Sequence, residues 1–295
     1  MYYKIPLDFQ REVILHILKN TQNHLLVEGT PSILGIFGPP GEGKTVMCKQ
    51  ILEDMGADIQ VMSVVEFESE DAGKPAERLK NNYNKAHDHL LKAPNNISAL
   101  IIDDADTAFG KWSGDVQYTV NTQIIIGELM QLANNEKTRK VPIILTGNDF
   151  SKMYYPLRRS GRMINFFWNP NTQDRLDSVQ MLFDWLSMEE CLSLITSIEA
   201  FASANNLVRP PISFYSSVKG KLVDDELWLR VCYERRNTDD MGYLNKIILP
   251  HKNEYSCEQV IDLCKKELTR IEKSNQDYSG GEINDYNQNQ DQHTN

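Results

Sequence analysis

A glycine-rich segment near the N-terminus has the composition of a phosphate-binding loop. Residues 38–45 (GPPGEGKT) match the pattern G-x-x-x-x-G-K-[ST], between an apolar run at 33–37 and a predicted helix at 44–55. In such loops the backbone amides face phosphate oxygens, and the helix that follows adds the positive end of its dipole. Lys44 is then placed to reach the β- and γ-phosphates, and Thr45 to bind Mg²⁺. The segment therefore predicts a site for a nucleoside triphosphate and Mg²⁺ made of Gly38, Pro39, Pro40, Gly41, Glu42, Gly43, Lys44 and Thr45.

Acidic residues follow another apolar run, at 98–103 (SALIID). Asp103 ends the run, Asp104 comes next, and Asp106 follows two residues later. Carboxylates so close together repel one another unless a cation lies nearby. We expect Asp103 to hold the water shell of Mg²⁺ and Asp104 to polarise the water that attacks the phosphate. The pattern therefore predicts a nucleotide-hydrolysing site.

Two further polar groups complete the predicted chemistry. The run at 141–146 is followed by Gly147 and Asn148, and an Asn at the tip of that strand can hydrogen-bond the γ-phosphate and the attacking water. Arg158, Arg159 and Arg162 surround a Ser-Gly pair before the last apolar run. A basic cluster there could reach a phosphate bound to a neighbouring subunit, and an arginine supplied in this way contributes on the order of 10³–10⁵ in rate. The alternative for the arginines is a solvated basic loop.

The elements that must position these residues are five strands of a parallel sheet. Apolar and β-branched runs occur at 33–37, 59–64, 98–103, 141–146 and 163–168, with stretches between them long enough for helices. This alternation is typical of a parallel sheet with helical crossovers, an α/β fold. Two crossovers, 74–92 and 117–134, show helical spacing. Their predicted core residues are Ala76, Leu79, Tyr83, Ala86 and Leu90 in the first, and Ile124, Ile125, Leu129 and Leu132 in the second.

After Pro170 the pattern becomes helical. Apolar residues recur at helical spacing in 174–186, 187–204, 212–234 and 256–273. Residues 274–295 contain four acidic residues, no Lys or Arg and many Asn and Gln, so they have little apolar surface to bury. We therefore expect an α/β domain at 1–170, a small all-helical domain at 171–273 and a disordered polar tail at 274–295.

Several longer segments are more specific than the phosphate-binding loop. They are EFESEDAGKP (66–75), QYTVNTQ (117–123), VPIILTGNDFS (141–151), GRM (161–163), ISFY (212–215) and VDDE (223–226). With these segments the chain, from about residue 2 to 273, resembles an AAA+ ATPase and, within that class, the green-type Rubisco activases. The resemblance implies a three-layer AAA+ sandwich with a helical lid. It also implies a hexameric ring that uses ATP and Mg²⁺ to remodel inhibited Rubisco, with the Rubisco large subunit as client, and to release tight-binding sugar phosphates.

The resemblance assigns further roles to individual residues. Arg159 and Arg162 match the arginines that act on the neighbouring subunit, and Asn148 matches the residue called sensor 1. The sensor-2 arginine of the family falls on Lys219, which keeps the charge but lacks the planar fork of Arg. The loops at 68–73 and 110–117 match those that line the central pore.

The chain also departs from parts of the family. It lacks the N-terminal domain of plant activases and the small-subunit-like C-terminal domain of some cyanobacterial ones, so the expectation is a shortened, cyanobacterial activase-like form. For such a form the cytoplasm, with or without association with carboxysomes, is the expected location. Because recruitment domains are missing, two alternatives stay open: a remodeller of another client protein, and an ATP-gated scaffold that binds Rubisco without remodelling it.

Composition restricts the classes of partner. The net charge of -10 disfavours a broad nucleic-acid-binding surface. No apolar run approaches the roughly 20 residues that a membrane-spanning helix needs. The five cysteines form no C-x-x-C pair, so a zinc site is not expected. We therefore expect no nucleic acid and no membrane among the partners.

Overall fold

The structure is a computed structural model that describes residues 4–22, 25, 29–67, 73–109, 120–133, 139–222, 224–237 and 255–290. It divides into two compact units, Met1–Asp174 and Arg175–Asn295. Residues 68–72 and 110–119, which include nearly all of the predicted pore loops, lie outside the described residues. In the part of the chain that is described, no helix is long and apolar enough to cross a membrane.

The first unit is built on a five-stranded parallel sheet. Its strands are β1 (Ile33–Phe37), β2 (Asp58–Met62), β3 (Ser98–Ile102), β4 (Ile143–Gly147) and β5 (Met163–Phe167), in the order β2-β3-β4-β1-β5. Ile33 of β1 is paired with Ile143 of β4 and with Met163 of β5. The predicted α/β fold with five parallel strands is confirmed.

Helices cover both faces of this sheet. They are α1 (Leu7–Thr21), α2 (Lys44–Asp54), α3 (Lys74–Lys92), α4 (Ala105–Phe109), α5 (Val120–Ala133) and α6 (Tyr155–Arg158). On one face Leu100, Ile102 and Leu145 share a buried cluster with residues of α3 and α5. On the other face Ile101 and Ile144 pack with residues of α1 and α2. Because successive side chains of a strand point to opposite faces, each central strand supplies both clusters and the unit has three layers.

The predicted core of the two crossovers is right with one exception. Ala76, Leu79, Tyr83, Ala86 and Leu90 are all buried on α3. On α5 Ile125, Leu129 and Leu132 are buried, but Ile124 is 40% exposed and Ile126 takes its place in the core. Residues 124–126 are three consecutive isoleucines of equal hydrophobicity, so the pattern alone does not determine which of them face the core.

The second unit is helical. It contains α7 (Thr172–Leu182), α8 (Met188–Ala204), α9 (Ile212–Lys221), α10 (Asp224–Asn237) and α11 (Cys257–Gln290), of which α7 begins at the end of the first unit. Its core includes Val179, Leu194, Val218 and Cys264. The segment 212–234, which shows helical spacing, is divided between α9, which ends at Lys221, and α10, which begins at Asp224.

The last helix differs from the expectation for the tail. Helix α11 continues to Gln290 and thus includes most of the segment whose composition predicts disorder. Val260, Cys264 and Leu268 anchor its first turns in the core of the second unit. Once a helix is nucleated, each added residue forms a backbone hydrogen bond at small entropic cost, so a packed start can extend into polar sequence.

Candidate active site

The phosphate-binding loop joins the end of β1 to the start of α2. Gly41 and Gly43 have φ angles of 73° and 77°, in the left-handed region that favours glycine. Gly38 has a φ of 150°, and a Cβ there would lie 1.8 Å from the backbone oxygen of Trp168. Gly43 is the N-cap of α2 and makes no side-chain cap hydrogen bond. The first amides of α2 are therefore available to an anion.

Trp168 fixes the phosphate-binding loop at both ends, a role that the sequence alone does not reveal. It follows β5, and its backbone N–H donates to the carbonyl of Phe37 at 2.7 Å. Its indole Nε1–H donates to the carbonyl of Glu42 at 3.0 Å. The only signal in the sequence is a Trp at the end of the fifth apolar run.

Lys44 lies buried inside the loop. Its Nζ donates to the carbonyl oxygens of Gly38 at 2.8 Å and Pro39 at 2.7 Å, and to Oδ1 of Asn148 at 3.1 Å. Burial lowers the pKa of the Lys44 ammonium, and nearby carboxylates, of which Asp106 acts most strongly, oppose that shift. The structure thus brings together the predicted lysine and the predicted sensor-1 asparagine.

Thr45 and Asp103 form the predicted metal-binding pair. The Thr45 hydroxyl donates to Oδ1 of Asp103 at 2.6 Å. The hydroxyl of Thr146, which the sequence places at the end of its strand but to which it assigns no role, donates to the same oxygen at 2.6 Å and lies 3.2 Å from the Thr45 hydroxyl. The described residues contain no group of three or more His, Cys, Asp or Glu side chains that could hold a metal. A cation here would therefore take its remaining ligands from phosphate oxygens and water, as Mg²⁺ usually does.

Asp104 has an unusual backbone and a perturbed carboxyl group. Its φ is 52°, a left-handed conformation that is rare for a residue with a side chain, and the residue is exposed. Partial burial of the carboxyl group raises its pKa, the negative charges of Asp103 and Asp106 raise it further, and Lys44 opposes them. A carboxylate with a raised pKa is a better proton acceptor than an ordinary one.

The three arginines differ in what they contact. Arg158 donates to the carbonyls of Met153 and Ser151, both at 3.1 Å. Arg162 donates to the carbonyl of Pro156 at 2.9 Å and contacts the Met130 sulfur at 3.4 Å. Arg159 is exposed, and its guanidinium makes no hydrogen bond or ion pair with any residue that the structure describes.

Lys219 lies on α9 in the helical unit. Its Nζ donates to the carbonyl of Leu182 and lies 5.5 Å from the centre of the Trp185 ring. Its role in nucleotide binding stays a prediction.

Comparison with known proteins agrees with this geometry. Residues 34–171 match the model of the ATPase family associated with various cellular activities (AAA). The chain is 36% identical over 241 residues to the Rubisco activase of Nostoc sp., an alignment that covers 77% of this chain and 56% of the relative. It is 34% identical to the chloroplastic Rubisco activase of Arabidopsis thaliana, over 77% of this chain and 48% of that one. The chain thus spans about half the length of the curated relatives that it matches.

Proposed function

We propose that this chain, whose residues 34–171 form an AAA ATPase domain and which is similar to Rubisco activases, is an ATP-hydrolysing motor that remodels inhibited Rubisco and releases tight-binding sugar phosphates. One observation carries the proposal. The predicted residues meet where β1, β3 and β4 end, with Lys44 3.1 Å from Asn148 and Thr45 2.6 Å from Asp103. A turn that only happened to be rich in glycine would not bring these four side chains together.

The residues fit a nucleotide with Mg²⁺. The uncapped N-terminus of α2 offers backbone amides to phosphate oxygens, and the Lys44 ammonium lies within the same loop. Thr45 would bind the cation directly, and Asp103 would hold its water shell. Mg²⁺ bound there would neutralise phosphate charge that develops during hydrolysis. The residues from Gly38 to Gly43 then serve to bind and orient the nucleotide.

Asp104 and Asn148 are proposed to act on the attacking water. Asp104 would accept a proton from that water at its carboxylate, and its raised pKa makes the transfer easier. The Asn148 side chain, already in contact with Lys44 Nζ, would orient the water against the γ-phosphate. Replacing Asp104 by Asn would leave the shape of the site unchanged and remove the proton acceptor.

Arg159 is proposed to act on a neighbouring subunit of a ring, which we propose to be a hexamer. The exposed guanidinium of Arg159 has no hydrogen-bond or ion-pair partner among the described residues of its own chain, whereas that of Arg162 donates to the Pro156 carbonyl. This contrast supports Arg159 as the group that reaches the neighbouring phosphate, with Arg162 shaping the loop that presents it. Arg158 is the matched control, because it lies next to Arg159 and contacts carbonyls of its own chain.

Mixing two inactive variants tests this arrangement. Arg159→Ala and Asp104→Asn are each expected to hydrolyse ATP at least 100-fold more slowly than the unmodified chain, because an arginine supplied by a neighbouring subunit contributes on the order of 10³–10⁵ in rate. The rate of Arg158→Ala should stay within about three-fold of the unmodified chain. In a mixture some interfaces contain an intact Asp104 facing an intact Arg159, so activity should reappear. Absence of recovery in mixtures whose exchange of subunits is verified would contradict action between subunits.

The client is tested with Rubisco itself. The proposed client is its large subunit, which would place the chain in the cytoplasm, in association with carboxysomes where these contain Rubisco. Rubisco inhibited beforehand with a tight-binding sugar phosphate should regain carboxylation when the chain and ATP are added, and Asp104→Asn should give no recovery. ATP hydrolysis without recovery would favour another client protein. ATP-dependent co-sedimentation with Rubisco but no hydrolysis would favour a scaffold.

A further inference from the structure

Asp106 connects the acidic segment after β3 to the loop after β4. One carboxylate oxygen, Oδ2, accepts the backbone N–H of Asn148 at 2.9 Å and that of Asp149 at 2.8 Å. The other oxygen, Oδ1, is buried and has no hydrogen-bond partner among the described residues. A single side chain on α4 therefore determines where two consecutive amides of the neighbouring loop lie.

The loop is shaped to admit this carboxylate. A Cβ at Gly147 would lie 2.4 Å from Oδ1 of Asp106 and 2.9 Å from its Cγ, distances that real Cβ contacts essentially never show. Only a residue without a side chain allows Asp106 to come close enough for both hydrogen bonds. Gly147 and Asp106 therefore depend on each other.

The position of Asn148 is fixed from two sides as a result. Its backbone N–H is bound to Asp106, and its side-chain Oδ1 accepts from Lys44 Nζ at 3.1 Å. If the amide lost its acceptor, the backbone of the loop would move and the side chain would no longer point at a fixed place. Geometric errors of about 1 Å in such a group can reduce turnover by about 100-fold.

We propose that Asp106 is a positioning residue: its carboxylate fixes the backbone of Asn148 and Asp149, and thereby aims the Asn148 side chain at the γ-phosphate and the attacking water. The kinetic part of this inference rests on the proposed ATP hydrolysis. Its structural part, two amides bound to one carboxylate, does not depend on any activity.

Hydrogen exchange of the nucleotide-free full chain tests the structural part. In Asp106→Ala the amides of Asn148 and Asp149 should exchange at least ten-fold faster than in the unmodified chain, with little change in peptides from α8. Asp106→Asn keeps one acceptor oxygen and should restore most of the protection. Asp54→Ala, which removes a surface carboxylate bonded to Gln50, is the control and should leave both amides unaffected. Unchanged protection in Asp106→Ala would overturn the proposal.

Kinetics then separate positioning from general damage. Asp106→Ala should reduce kcat at least ten-fold while the Kd of a fluorescent ATP analogue changes less than three-fold. If Asp106 acts through Asn148, adding Asp106→Ala to Asn148→Ala should lower kcat by less than two-fold further. Fully additive losses would overturn the inference. A chain with no ATPase activity would refute the proposed function, and the exchange data would still decide the role of Asp106. If Asp106→Ala does not fold, Gly147→Ala perturbs the same contact from the other side and should expose the same two amides.

Discussion

Arg139 offers a strong test of the energetics of the first unit, because it is a buried cation bonded only to backbone carbonyls among the described residues. Its guanidinium donates to Thr21 at 2.6 Å, to Leu90 at 2.6 Å and Ala93 at 3.0 Å, and to Asn96 at 2.7 Å. Thr21 is the last residue of α1, and Leu90 and Ala93 lie at the end of α3. The last carbonyls of a helix have no partner within it and carry the negative end of its dipole, so Arg139 completes two helices at once.

The expected cost of removing this side chain follows from those contacts. A hydrogen bond to a charged group contributes about 1.5–3 kcal/mol, but four bonds to one cation are not additive, and burying the cation offsets part of the gain. Burial lowers the pKa of the Arg139 guanidinium, because taking the cation out of water disfavours its charged form. We expect Arg139→Met to lower the free energy of unfolding of the first unit by about 3–5 kcal/mol, because several buried carbonyls lose their donor at about 1–3 kcal/mol each, and these losses are not fully additive. Arg139→Lys, which lacks the planar fork, should lose about 1–3 kcal/mol because some carbonyls stay without a donor.

Urea-dependent hydrogen exchange measures this loss separately in each unit. Peptides from α1 and α3 should open at lower urea in Arg139→Met, while peptides from α8 report the second unit of the same molecule and should not change. The control is Arg11→Met, since Arg11 is an exposed arginine on α1 paired with its neighbour Glu12 and should contribute below about 0.5 kcal/mol. A loss under 1 kcal/mol in Arg139→Met would refute the assignment of both helix ends to this residue.

Three further predictions concern the same unit. Burial lowers the pKa of His16 to about 4. The imidazole of the unfolded chain therefore takes up a proton near pH 6.5, whereas that of the folded chain does so only near pH 4. The free energy of unfolding should decrease by up to about 3 kcal/mol as the pH is lowered from 6.5 to 4. Urea titrations of His16→Gln should not show this loss. Gly38→Ala should weaken binding of a fluorescent ATP analogue at least ten-fold, because its Cβ would collide with the Trp168 backbone, whereas Gly127→Ala on α5 has open space and should bind normally. Trp168→Phe removes the hydrogen bond to the Glu42 carbonyl and should weaken the same binding by about 1 kcal/mol.

The chemistry of the site is predictable because it is local in sequence. Eight consecutive residues specify the phosphate-binding loop, and Asp103 and Asp104 follow directly on a strand whose five residues are all buried. A buried parallel strand is a continuous apolar run, so its end is visible in the sequence, and polar residues at that end are visible with it. Lys44, Thr45, Asp103 and Asn148 are therefore found without a structure.

The residues that the sequence did not reveal act across long separations. Asp106 binds amides 42 and 43 residues away, Trp168 binds a carbonyl 126 residues away, and Arg139 reaches Thr21 over 118 residues. Each of these contacts depends on which strands are neighbours, and alternating apolar runs do not determine that order. For the same reason the sequence does not reveal that Arg159 is exposed while Arg158 and Arg162 donate to backbone carbonyls. The three side chains are identical and differ only in which carbonyls lie within reach.

The order of the strands explains why the site has these particular parts. Strand β1, which leads into the phosphate-binding loop, lies between β4 and β5, and β4 lies between β1 and β3. Parallel strands end at the same edge of a sheet, so the loop after β4 must pass between the phosphate-binding loop and the acidic segment after β3. Asn148 is consequently bound to Lys44 on one side and to Asp106 on the other. A change in either neighbour should therefore displace Asn148 first, because the position of this side chain depends on three strands rather than on one motif.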